Sequence, residues 1–231
     1  MTDMLYHCGM EHLYIFGAGE FAQIASTYFL EEGKYDFKGF IVDDNFLCTE
    51  TISLESPVYG YSVKKEVLSE QNTRVFVAIS AAQMNLDRSE VYNRLKLLGC
   101  RFATYISPMS YVSKHASVGE NVFIFEENVV QNGVDIGNDT ILWSGNHIGH
   151  QSRIGSHVFF SSHVVVSGYC KIENHCYFGV NSTLVDHITI ASGTLVGAGS
   201  LILKDTESNS VYVGSPAKKI EGRNPYKVIF R

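Results

Sequence analysis

"NHIGHQSRIGSHVFFSSHVVVSG", residues 146–168, places a large apolar side chain at every sixth position: Ile148, Ile154, Phe160 and Val166. The count extends without a break in both directions. From Val112 it runs through Val118, Ile124, Val130, Ile136 and Leu142, and beyond the quoted stretch through Ile172, Phe178, Leu184, Ile190, Val196 and Ile202. All sixteen positions are apolar, and two residues before each sits a mostly small or short side chain such as Ala116, Thr140, Ser152, Cys170, Ser182 or Ser200. Glycine often follows the apolar position, as at Gly119, Gly137, Gly149, Gly155, Gly179 and Gly197. A period of six suits neither an isolated helix (3.6) nor a strand (2). It suits a parallel β-helix in which each hexad forms one flat side and turns its apolar residue inward. Chance alternation in an antiparallel sheet would need turns at irregular spacing and would lose register.

Three sides per coil make residues eighteen apart stack. Asn128 then lies under Asn146 at an inward position, His157 under His175, and Gly168 beside His150. Cys170 and Cys176 fall at inward positions on successive sides and read as small core residues. The quoted stretch holds four histidines, His147, His150, His157 and His163. Polar side chains on the coil face solvent or a partner by default, so each is weighed against that ordinary surface role.

The rest of the chain follows another rule. Across residues 12–105, "LYIFGAG" reads as a strand and turn and "EFAQIASTYFLEEG" as an amphipathic helix stopped by Gly33. "FKGFIVDD" and "TRVFVAIS" read as strands, "LDRSEVYNRLKLLG" as a helix stopped by Gly99, and "RFATYI" as a further strand. This alternation predicts a small parallel sheet flanked by helices, of about four strands, with a domain over 1–107 and a second over 108–231. Gly17-Ala18-Gly19-Glu20-Phe21-Ala22 forms a G-x-G-x-x-A turn between strand and helix, and Asp43 and Asp44 end the next strand. Such glycines let backbone approach a phosphate, and a carboxylate after the second strand can hold a ribose hydroxyl. The competing explanation is that the glycines only permit tight strand–helix packing. Four strands suit a mononucleotide half and not the full doubly wound sheet.

Composition narrows the function. With 231 residues, 45% hydrophobic and 18% charged, the chain is an ordinary globular protein. A net charge of −6 leaves no basic surplus for nucleic acid. "MTDMLYHCGMEHLYIF" lacks a secretory pattern and no apolar run suggests membrane insertion, so a cytoplasmic location is expected. Five cysteines, an odd number with no C-x-x-C pair, read as free thiols.

On "IFGAGEFA", "GFIVDD", "HIGHQSRIG", "FGVNSTLVDHITI", "VGAGSLILKD" and "VYVGSPAKKI", the chain resembles the left-handed β-helix bacterial sugar acyltransferases. That group includes the N-acetyltransferases of bacillosamine and perosamine biosynthesis and the sialic acid O-acetyltransferases. The resemblance implies a Rossmann-like parallel sheet followed by a left-handed parallel β-helix of hexapeptide repeats. It also implies a homotrimer with active sites between neighbouring β-helices, and acetyl-CoA as co-substrate along the groove. His150, followed by Gln151 where several relatives have Glu, would be the general base, and the Gly168 N–H would stabilise the oxyanion. Gly168, Val180, Ala198, Lys204 and Lys218 would meet coenzyme A, with Lys219 also near its phosphates. Gly17, Gly19, Glu20, Phe21, Asp43, Asp44 and Ser80 would line the nucleotide-sugar site.

The implied function is N-acetylation of a nucleotide-linked deoxyamino sugar for a bacterial surface polysaccharide, with O-acetylation of a sugar hydroxyl as the alternative. No metal is expected. Zinc enzymes on this scaffold use histidines five apart, whereas His147 and His150 are three apart. A non-catalytic β-helix module is the remaining rival, and it leaves "GAGEFA" and "NHIGH" unexplained. The tail "RNPYKVIFR" extends past the family's ending and carries no functional assignment.

Overall fold

In the first half, short apolar runs stack side by side because only a parallel arrangement buries both faces of each strand. The computed structural model describes residues 9–47 and 56–228. Strands β1 (His12–Phe16), β2 (Asp36–Val42), β3 (Val58–Gly60) and β4 (Thr73–Val77) form one parallel sheet in the order β3-β2-β1-β4. Helix α1 (Glu20–Glu32) follows β1 and ends at Gly33, whose φ of 65° supplies the left-handed cap. Phe29 of α1 packs edge-on against Phe76 of β4 at 5.3 Å between ring centroids. A short helix α2 (Tyr61–Lys64) follows β3, and helix α3 (Ala82–Leu97) follows β4.

The expected strand "RFATYI" is divided between two sheets. Its Phe102 makes a single parallel bridge to Val75 of β4, with Val75 N donating to the Arg101 carbonyl and Ala103 N to the Val75 carbonyl, both at 2.9 Å. Its Tyr105–Ile106 pairs with Phe123–Ile124 as the first rung of the β-helix. The sheet also holds β3, only three residues long, too short to stand out as an apolar period.

Backbone contacts divide the chain into Met1–Ser80 with Glu90–Ala103, and Ala81–Ser89 with Thr104–Arg231. Residues 81–89, expected with the first domain, belong to the second unit because polar side chains tie them to it. Asn85 Nδ2 donates to the His157 carbonyl at 2.8 Å, and Arg88 Nε donates to Asp139 Oδ1 at 3.0 Å. Gln83, Met84 and Asn85 take left-handed φ values of 50°, 57° and 64° before the right-handed helix proceeds.

The β-helix has three sheets of five, eight and six two-to-three-residue strands, parallel throughout except where Lys218–Lys219 pairs antiparallel with Val211–Val213 at the end of the eight-stranded one. Partners are eighteen residues apart on every interior rung: Val130 pairs with Ile148, Ile148 with Val166, and Ile136 with Ile154. The inward residues form one continuous buried core that also holds Cys170 and Cys176. At about 1.5–3 kcal/mol for each fully buried large apolar side chain, this column supplies much of the driving force for coiling. Like stacks on like, as in Phe160 on Phe178 at 4.7 Å and 7° between planes.

The corners also keep a period of six. Asn121, Glu127, Gly133, Asp139, Gly145, Gln151, His157, His163, Tyr169, His175, Asn181, His187, Gly193 and Gly199 all have positive φ. This left-handed conformation favours Gly, Asn, Asp and His. It explains four of the histidines in this half: His157, His163, His175 and His187 turn corners. His147 and His150 do not.

One corner column carries a buried polar network. Buried Asp139 accepts from Asn121 Nδ2 at 2.6 Å and from Arg88, and its Oδ2 lies 2.8 Å from His157 Nδ1. His175 stacks on His157 at 4.8 Å. Burial, and next the charge of His157, hold the His175 imidazole below its usual range. Among the described residues, no helix is long and apolar enough to cross a membrane.

Candidate active site

His150 follows the strand His147–Ile148 and immediately precedes the corner at Gln151. The side chain is exposed, and its imidazole lies against Gly168, eighteen residues on. A methyl group at Gly168 would sit 2.6 Å from His150 Cε1 and 2.9 Å from Nε2, so only glycine leaves the ring in place. Among the described residues, no hydrogen-bond acceptor takes the Gly168 N–H; its carbonyl accepts from His187 N at 3.1 Å. An imidazole and an uncommitted backbone donor therefore lie on neighbouring coils, an arrangement that can serve as base and oxyanion donor in acyl transfer. Tyr169 closes one flank edge-on at 5.1 Å, and is itself stacked on His187 at 4.8 Å. His187 Nδ1 lies 2.8 Å from Asp186 Oδ2.

The partner of His150 is not Gln151. The Gln151 amide lies over Gly133 on the neighbouring coil, where a methyl would meet its nitrogen. Gln131 was not singled out from the sequence, yet its Oε1 accepts from the His150 backbone N at 2.9 Å and lies 3.2 Å from Nδ1. The eighteen-residue stacking puts Gln131 under Gly149, one residue from His150, and that spacing was the available signal.

Val180 and Ala198 come together as expected of neighbours in a groove. Both line an apolar pocket of about 440 Å³ with Tyr177, Leu195, Val211 and Val213. Lys204 and Lys218 are exposed and do not line it. Lys219 is engaged by Glu207 at 2.8 Å and Glu221 at 3.5 Å. His147 is half-buried in its strand.

In the first unit the two glycines of the turn differ. Gly17 has a φ of 122°, and a methyl there would lie 2.4 Å from the Ala78 carbonyl oxygen, so its role is conformational. Gly19 caps α1, and a methyl there would meet nothing within 4 Å. Glu20 is exposed in the first turn, and Phe21 packs edge-on to Phe76 at 6.1 Å. Asp43 is bound by Arg94 at 2.8 Å, and Asp44 accepts from the Ser62 hydroxyl at 3.0 Å. Both carboxylates thus already have partners. Ser80 is exposed just beyond β4.

Residues 12–95 match the PglD N-terminal domain family. The chain thus joins a segment matching that family to a β-helix of hexapeptide repeats. Its fold is that of PerB from Caulobacter crescentus, solved with CoA and GDP-perosamine, at a TM-score of 0.79 and 24% identity over 90% of this chain and 97% of that one. It is equally that of the acetyltransferase domain of PglB from Neisseria gonorrhoeae, at 0.80 and 23% identity over 91% and 100%. WeeI from Acinetobacter baumannii matches at 0.77 and 21% identity, covering 90% and 99%. Serine acetyltransferase 2 of Arabidopsis thaliana is 32% identical over 127 residues, 54% of this chain; the match spans only 37% of that protein's length.

Proposed function

We propose that the protein is an acetyl-CoA-dependent N-acetyltransferase acting on the amino group of a nucleotide-linked deoxyamino sugar, serving bacterial surface polysaccharide biosynthesis. The observation that carries this reading is the contact of His150 with Gly168, whose N–H is uncommitted among the described residues. In this mechanism the sugar amine attacks the thioester carbonyl carbon while the His150 imidazole takes a proton from the nitrogen. The carbonyl oxygen becomes an oxyanion facing the Gly168 N–H. Collapse breaks the C–S bond, and the thiolate of coenzyme A takes the proton back from the imidazolium. The products are the N-acetyl sugar and free coenzyme A, with no covalent enzyme intermediate.

Burial supports direct transfer, because it pushes the Cys176 thiol up to about 12 and raises that of Cys170, so neither supplies a thiolate nucleophile. The pocket at Val180 and Ala198 fits the pantetheine arm, and the uncrowded Gly19 cap suits a diphosphate. The fold shared with proteins solved with CoA, acetyl coenzyme A and GDP-perosamine supports both assignments. The protein acts in this reading as a cytoplasmic homotrimer, which light scattering tests.

Incubation with acetyl-CoA and a panel of UDP-, dTDP- and GDP-linked amino sugars, followed by product analysis, tests the reaction. An amide product is expected. An ester formed only on a hydroxyl acceptor such as a sialic acid would replace N- by O-acetylation.

A further inference from the structure

We infer that Gln131 is the positioning residue of His150 and selects its reactive nitrogen, an inference that rests on His150 being the base. A backbone N–H can only donate, so the Gln131 atom that receives the His150 N–H at 2.9 Å must be the amide oxygen. That same oxygen lies 3.2 Å from His150 Nδ1. An amide oxygen can only accept, so the neutral imidazole carries its proton on Nδ1 and leaves Nε2 with a free lone pair. Nε2 is also a ring atom that faces Gly168, where a methyl would come within 2.9 Å of it. The free lone pair thereby lies on a ring nitrogen next to Gly168, whose N–H is uncommitted among the described residues.

Sequence makes this arrangement possible. The rung from Val129–Val130 to His147–Ile148 is in strict register, so the residue after Val130 lies beneath the residue after Ile148. From there the Gln131 side chain reaches one residue further, around the edge of the coil, to His150. The residue that follows the base, Gln151, points to Gly133 and takes no part. Support comes from the coil below and is neutral: it fixes the tautomer and adds no charge to stabilise an imidazolium.

The test compares wild type with His150→Ala, Gln131→Met and Gln131→Glu, each checked by thermal melt. Nitrogen-15 spectra of the imidazole should show the Nδ1-protonated tautomer in wild type and its loss in Gln131→Met. That variant should lose about tenfold to a hundredfold in kcat with both KM values unchanged. Gln131→Glu keeps the acceptor and adds a charge, so it should restore turnover at high pH and move the acid limb of the profile upward by about one pH unit. An Nε2-protonated wild type would overturn the inference. So would full kcat and an unmoved pH profile in both Gln131 variants while His150→Ala is inactive. Retained turnover in His150→Ala would overturn the base assignment itself, and the Gln131 role with it.

Discussion

The imidazole of His150 rests on the backbone of Gly168 so closely that no side chain fits between them. The eighteen-residue coil creates this contact, and the proposed reaction depends on it. Gly168 has no left-handed φ, so a substitution there is a matter of space alone.

Gly168→Ala should therefore fold normally and fail as an enzyme. The added methyl must displace the ring, and a misplacement of about 1 Å costs on the order of 10² in rate. Steady-state kinetics with a melting curve checks both halves: kcat falls by about that factor, and the transition stays within a few degrees of wild type.

Gly17 and Gly19 should separate in the same way. Gly17→Ala strains a positive φ and drives a methyl into the Ala78 carbonyl, so it should lower stability. Gly19→Ser retains a good N-cap residue and puts a side chain where the turn is open. It should leave the melt unchanged and raise KM for the nucleotide sugar but not for acetyl-CoA.

Asp139 neutralises Arg88, whose side chain is fully buried. Burial pulls the guanidinium down and the Asp139 charge pulls it back up. Asp139→Asn keeps a residue that tolerates the corner's φ of 55° while removing the charge. A loss of about 3 kcal/mol is expected in denaturant titration, because breaking one side of a buried pair strands the other.

His175 makes stability depend on pH. Burial, then the neighbouring His157, holds its imidazole below the ordinary 6.5, so the unfolded chain binds the proton more readily than the folded one. Stability from this group is full above pH 6.5 and is lost as pH falls through the lower folded value. Denaturant midpoints from pH 7.5 downward should decline more steeply in wild type than in His175→Asn, a residue suited to the same corner (pH range chosen around the ordinary imidazole value, about 6.5).

The thiols separate direct transfer from a cysteine-based mechanism. Burial raises Cys100 to about 11 and Cys176 to about 12, and raises Cys170 as well. Brief alkylation of the native protein should leave all three unlabelled by mass spectrometry, and activity should survive. Labelling of Cys170 with proportional loss of turnover would contradict direct transfer.

The β-helix was legible because its period is written in side chains: one inward apolar residue per hexad survives as a pattern whatever the outward residues are. The stacking it implies places Gly168 beside His150 and His157 under His175. The left-handed corners are equally written in the six-residue spacing of Gly133, Asp139 and Gly145. Less was legible where geometry depends on reach. Gln131 contacts His150 across a coil edge, Asn85 and Arg88 carry the start of α3 into the second unit, and β3 is too short to show a period. Asp43 and Asp44 looked free for a ribose, but Arg94 and Ser62 hold them, and partners so distant in sequence leave no local trace.

The central claim is that His150 is the base of an acetyl transfer, and thiol release from acetyl-CoA tests it most directly. Wild type and His150→Ala are measured side by side over UDP-, dTDP- and GDP-linked amino sugars. Turnover with one amino sugar, reduced in the variant by a factor on the order of 10² or more, is the predicted result. Equal rates in the two proteins would contradict it.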